Sequence, residues 1–219
     1  LPASFVYSQV DLAELERCLS SDRLSTYMGA VGHDKESAVR LYVWNMAISA
    51  AFYSPLQALE ITIRNGFHHE LTQTYGPSWY NNPRVPLTAE ALRLVQNARA
   101  KLAEQGKAPD PGRMVAELSF GFWERLLSKG PKGAYEMKLW RPALHKAFPH
   151  ARKKRSEVHL PVQHLRVLRN RIAHHEPIFA RHLAQDYRSL TDVLGWISPE
   201  IRRWVEHHSN IHAVLAQRP

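Results

Sequence analysis

Cysteine is nearly absent, with Cys18 standing alone among 219 residues. One thiol cannot close an internal disulfide, so a disulfide framework is excluded and the chain suits a reducing compartment. No His-partner pattern surrounds Cys18, which reads as a small buried apolar residue rather than a nucleophile. Long apolar runs are missing too. The nearest approach, Ala47 to Ile63, contains Ser49, Ser54, Pro55, Gln57, Glu60 and Thr62, which excludes a membrane span of about 20 apolar residues. The first residues lack a basic stretch followed by an apolar one, so a cytoplasmic protein without a signal peptide is expected. Acidic residues are in deficit: 20 Asp and Glu face 29 Lys and Arg, a formal net charge of +9, with 13 His in reserve. That balance favours a polyanionic partner, held through phosphate contacts and counterion release. No basic amphipathic anchor rich in exposed aromatics points to a membrane instead.

Period-2 alternation is also lacking, and what repeats is helical spacing, so the expected class is all-α. Leu12, Leu15 and Leu19 mark one face of a short helix starting near Ser8 or Asp11, and a second runs from Ser21 to about Met28 before Gly29 and Gly32. A long helical pattern extends from Asp34 to about Tyr75, where Gly76-Pro77 ends it; Pro55 should kink or split it. Ser78 to Pro86 reads as loop. Thr88 opens a helix that ends near Gly106. Met114 to Leu127 is helical around Gly121, with Phe120, Phe122 and Trp123 as core and the glycine allowing close packing. Helical pieces span Ala134 to Phe148, interrupted at Pro142. The basic run Arg152-Lys153-Lys154-Arg155 leads into a helix from about Ser156 to Glu176, followed by helices over Arg181 to Trp196 and Pro199 to Leu215. The breaks are short and the apolar pattern resumes after each. The chain therefore reads as one domain over 1–219, its core over about 34–196, with helical extensions at both ends.

The helix before Glu176 carries the chemistry. At about 100° per residue, Val158, Leu165, Leu168 and Ile172 form the core stripe, while Gln163, Arg166, Asn170 and His174 face the other way. Asn170 and His174 are i and i+4, hence neighbours. Val167 beside them puts an apolar residue on a face turned from the core, as expected where another surface docks. Arg169 is about 140° round from His174. It must swing its side chain to reach that imidazole, or meet the His of a second subunit.

Arg169-Asn170-Arg171-Ile172-Ala173-His174 resembles the R-x4-6-H motif of HEPN ribonucleases. His175-Glu176-Pro177-Ile178-Phe179, Leu59-Glu60-Ile61-Thr62-Ile63-Arg64-Asn65 and Glu117-Leu118-Ser119-Phe120-Gly121-Phe122-Trp123 resemble the Abi-like branch of that superfamily, in consistent order over most of residues 36–179. The resemblance implies a HEPN-like helical bundle that dimerises through its motif helices to form one composite site. It implies metal-independent RNA cleavage that leaves a 2′,3′-cyclic phosphate and a 5′-hydroxyl, in abortive infection or toxin activity. Arg169 and His174 would be catalytic and Asn170 would assist; Glu60, Arg64 and His175 would support them. The position two residues after the motif His, where some HEPN proteins carry a Tyr that a partner modifies, holds Glu176, so any antitoxin or regulatory partner must act otherwise.

These residue types suit the reaction. RNA carries its own nucleophile, the 2′-hydroxyl. A His titrating near neutrality can take that proton or protonate the leaving oxygen, and an Arg fork can hold the charge that builds on phosphorus oxygens. Arg152, Lys153, Lys154, Arg155 and Arg166 are candidate RNA contacts. Glu60 and Arg64, i and i+4, also read simply as an intrahelical ion pair. His68-His69, His174-His175 and His207-His208 do not chelate, because adjacent side chains diverge by about 100°; with no HExxH and no Cys pair, neither metal nor cofactor is expected. The rival reading is a non-catalytic RNA-binding or regulatory module that keeps the fold and the basic face. A protein-interaction domain is the third.

Overall fold

The computed structural model describes residues 5–219, and all regular structure among them is helical. It falls into two compact units: Leu1–Pro55 with Leu168–Arg188 and His208–Pro219, and Leu56–Val167 with Ser189–His207. Residues 1–4 of the expected domain lie outside the described residues.

The first unit opens with α1 (Gln9–Leu19) and α2 (Ser21–Ala30). Ser8 and Asp11 close a reciprocal capping box on α1, the Ser8 hydroxyl accepting from Asp11 N at 3.1 Å and the Asp11 carboxylate from Ser8 N at 2.8 Å. Cys18 is exposed, against the expectation of burial. Six residues beyond buried Leu12, it stands about 120° round the helix from the one fully buried position. The unit's core joins Leu24, Tyr27, Trp44, Ile48 and Phe52 with Leu168, Ile172, Ile178, Phe179 and Tyr187. Trp44 Nε1 donates to Val214 O at 2.8 Å, so the buried indole is not left unpaired.

The long helix α3 (Lys35–Tyr75) contributes to both units and runs through Pro55 without the split that was one of the two outcomes expected there. Proline removes one hydrogen bond, yet Phe52, Leu56, Leu59, Ile63, Phe67 and Leu71 are all buried at helical spacing. Burial of that stripe outweighs the lost bond.

The second unit adds α4 (Ala89–Glu104), α5 (Pro111–Glu117) and α6 (Phe120–Arg125). Thr88 caps α4 as expected, its hydroxyl accepting from Ala91 N at 3.1 Å. The single helix expected over Met114–Leu127 is broken at Leu118, which is extended (φ −77°, ψ 121°). The Leu118 carbonyl freed there accepts from the buried Trp123 Nε1 at 3.1 Å, which offsets the break. Phe120, Phe122 and Trp123 are core. Gly121 is not a steric necessity, since an added Cβ would meet nothing nearer than 3.7 Å. The 78–86 segment contains a 3-10 turn, Trp79–Asn81, that buries Trp79 and Tyr80. The pieces after Gly133 are a π-helical turn, Glu136–Trp140, and a 3-10 turn, Leu144–Ala147. Then come α7 (Arg155–Ala173), α8 (Leu183–Ile197), α9 (Pro199–His208) and α10 (Ile211–Leu215), the last two dividing the single helix expected over Pro199–Leu215. Among the described residues no helix is long and apolar enough to cross a membrane.

His68, from one of the His doublets, has a structural partner in this unit: Trp79 Nε1 donates to its Nδ1 at 3.1 Å. Burial, and secondarily the neighbouring His69, hold the His68 imidazole below its ordinary pKa. Protonation would also remove the lone pair that the indole uses. Because the unfolded chain binds this proton more readily than the fold does, stability is fully present above the unfolded pKa and is lost as pH falls below about 6.5. Urea melts at pH 5 and pH 7.5 should show lower stability at pH 5, with a smaller difference in His68→Gln.

Candidate active site

The helix that carries the Arg-Asn-x-x-Ala-His segment stops at Ala173, short of the expected Glu176. Glu176 N donates to Arg171 O at 2.8 Å and His175 N to Ile172 O at 3.1 Å. These paired bonds form a Schellman ending, whose C′ residue is left-handed and most often Gly. Here it is His175, at φ 56°. Two further contacts hold the turn: Arg23 Nη1 donates to His175 O at 2.8 Å, and Arg171 Nε lies 3.1 Å from Glu176 Oε2. A left-handed backbone costs a non-glycine residue about 1–2 kcal/mol, against which Gly brings greater unfolded-state entropy. His175→Gly should therefore keep or raise stability by up to about 1 kcal/mol, and His175→Val should lower it; thermal melts of the two variants check this.

This ending sets the geometry of the candidate residues. Asn170 O accepts from His174 N at 2.9 Å, so His174 closes the last turn directly above Asn170. Arg169 and Asn170 are half-buried, while His174 and His175 are exposed. Next in sequence, buried Asn45 pins the chain after the turn: its Oδ1 accepts from Ile178 N at 2.8 Å and Phe179 N at 3.1 Å. Ile172, Ala173 and His175 border a cleft of about 690 Å³ whose remaining walls come from α2 and α3, all within the first unit. Of the three supporting candidates, His175 belongs to the first unit, and Glu60 and Arg64 to the second. Arg64 Nε donates to Asn65 Oδ1 at 3.3 Å.

The basic candidates divide. Arg152, Lys153 and Lys154 are exposed, and Lys153 Nζ sits 5.2 Å from the Trp196 ring centre. Arg155 does not join them. Its side chain is only 11% exposed, its Nε is 3.1 Å from Glu136 Oε2 and its Nη1 donates to Leu127 O, so it anchors the start of α7 instead of offering a phosphate contact. Arg166 is likewise turned inward, with Nε 3.0 Å from Glu124 Oε2. The N–H is off line with that oxygen, so the pair is held by charge and Nε makes no hydrogen bond.

Glu124 was not legible as a site residue. Its side chain is 5% exposed, and His159 Nε2 lies 2.6 Å from its Oε1. His159 and Arg166 are two turns apart on α7 and so reach the same carboxylate. The available signal was an acid enclosed by Phe122, Trp123, Leu126 and Leu127. Among the described residues, no group of three or more His, Cys, Asp or Glu comes together that could hold a metal ion.

Comparisons with family models, curated proteins and solved structures found no match to this chain.

Proposed function

We propose that this protein is a metal-independent endoribonuclease of the HEPN type, resembling its Abi-like branch. It would act in the cytoplasm as a homodimer in phage defence or toxin activity. The observation that carries the reading is the end of α7, where exposed His174 closes the last turn over Asn170, with Arg169 one residue before Asn170 and the cleft-wall residues Ala173 and His175 on either side of His174. His174 serves as general acid or base for the substrate's 2′-hydroxyl and leaving oxygen. Arg169 stabilises the charge that develops on the phosphate, and Asn170 orients the imidazole or the phosphate. Two motif helices across a two-fold axis supply both proton transfers. Exposed Leu160 and Val167, two turns apart on α7, support a partner for this helix. The net charge of +9 and the exposed run Arg152 to Lys154 support a polyanionic substrate.

The test is a synthetic single-stranded RNA incubated with the protein in EDTA, beside the same strand carrying a 2′-deoxynucleotide at the mapped cleavage position. Cleavage of the first strand and sparing of the second at that position is the expected result. Binding without cleavage would favour the non-catalytic module, and cleavage of both strands would rule out the 2′-hydroxyl as nucleophile.

A further inference from the structure

We propose that the cleft beside the end of α7 binds an unpaired nucleobase, a reading that rests on RNA being the substrate. The cleft holds about 690 Å³, within the range of sites that enclose small organic ligands. Its wall includes Asn45, Met46, Ser49, Tyr53, Ala173 and His175. The lining is mainly aromatic, aliphatic and hydroxylic, and its one ionisable cation is a histidine. Such a surface suits a flat ring with apolar faces and a polar edge, and it leaves the charged phosphate outside.

Two features specify how a base is held. Tyr53 is 64% exposed and Met46 57%, large apolar side chains standing at the cleft with ring and thioether presented to solvent. An exposed aromatic face is a stacking platform for any base. Asn45 is buried, and its Oδ1 is occupied by the Ile178 and Phe179 amides. Its side-chain amide is thereby oriented, and what it offers the cleft is the N–H₂ donor, suited to a carbonyl or ring nitrogen on a base edge. The hydroxyl of Ser49 adds a rotatable donor and acceptor.

Position relative to the chemistry follows from the chain. His174 lies between two residues of the cleft wall, Ala173 and His175. The cleft and the residue proposed to move the proton therefore share the turn that ends α7, and a base must enter the cleft unpaired. This demands a single strand, since a base inside a duplex cannot enter without being flipped out. The chain's positive charge matches the backbone that such a strand brings with it.

The experiment measures binding to a single-stranded 2′-O-methyl RNA, which lacks the free 2′-hydroxyl, and to a 2′-O-methyl duplex of equal charge. Free AMP and UMP serve as competitors. Tyr53→Ala should weaken single-strand binding by about 5- to 100-fold, Tyr53→Phe should restore most of it, and duplex binding should be unchanged in both. Competition by free AMP or UMP that disappears in Tyr53→Ala would identify a site open to free nucleotides. Strand binding without such competition would identify a site that needs the backbone; either supports the cleft as the base site. Equal single-strand binding by wild type and Tyr53→Ala would overturn it. Failure of the nuclease reading looks different: wild type would leave unmodified RNA intact while Tyr53→Ala still lost single-strand binding.

Discussion

His174→Ala should lower RNA cleavage by about 10²- to 10⁴-fold, the usual worth of a general acid or base, with RNA binding close to wild type. The side chain is exposed at the end of α7, so its loss should shift stability by no more than about 0.5 kcal/mol. A loss of cleavage would then not be an unfolding effect. Arg169→Ala should lower cleavage to a similar degree, because a guanidinium aimed at a phosphate matters most when negative charge peaks. Arg169→Lys should recover only part of it, since an ammonium lacks the bidentate fork. Two residues that act as one unit are not additive, so the double variant should be about as slow as the worse single variant. Independent multiplication of the two losses would show that they do not share a step. Single-turnover kinetics on one RNA, with melts of each variant, provides the comparison.

The second large effect concerns stability. Arg166→Met should destabilise the protein by about 3 kcal/mol, the low end of the cost of breaking a buried ion pair. It leaves Glu124, only 5% exposed, with His159 as its remaining partner. The low end applies because the Arg166 side chain is itself 25% exposed and its Nε–H is off line. Glu124→Leu combined with Arg166→Met should recover much of the loss, because a buried pair replaced by apolar side chains of similar size no longer leaves a charge unpaired. Urea denaturation of the single and double variants measures both effects. If Arg166 were instead an RNA contact, Arg166→Met would weaken binding, flatten its salt dependence and leave the urea midpoint unchanged.

These two clusters differ in how legible they were. The Asn170 and His174 pair is local, and helical spacing sufficed to make them neighbours, while Arg169 stays about 140° round from His174. The helical class and the caps at Ser8 and Thr88 were equally local, written in apolar period and in side chains that bond a backbone N–H within three residues. Glu124 joins His159 and Arg166 of α7 only through tertiary packing, which leaves no local pattern in the sequence, so Arg166 alone was singled out, as an RNA contact. The same cause removed Arg155 from the basic run, its partners Glu136 and Leu127 lying far along the chain.

Backbone detail was hidden for a related reason. Pro55 breaks a helix in isolation, but the buried stripe from Phe52 to Leu71 holds α3 continuous. Leu118 looks helical by propensity, yet the Trp123 indole provides its carbonyl with an alternative partner. The end of α7 came early because His175 takes a left-handed conformation for which the sequence has no glycine, secured by Arg23 from 152 positions away. The cleft was not visible at all, since its walls combine α2, α3 and the end of α7.

The most direct measurement is the chemical identity of the RNA ends produced by the wild-type protein in EDTA, read by mass spectrometry of a defined single-stranded substrate. Attack by the substrate's own 2′-hydroxyl predicts a 2′,3′-cyclic phosphate on one fragment and a 5′-hydroxyl on the other, both missing with His174→Ala. A 3′-hydroxyl with a 5′-phosphate, or the same cyclic ends at wild-type rate from His174→Ala, would contradict it.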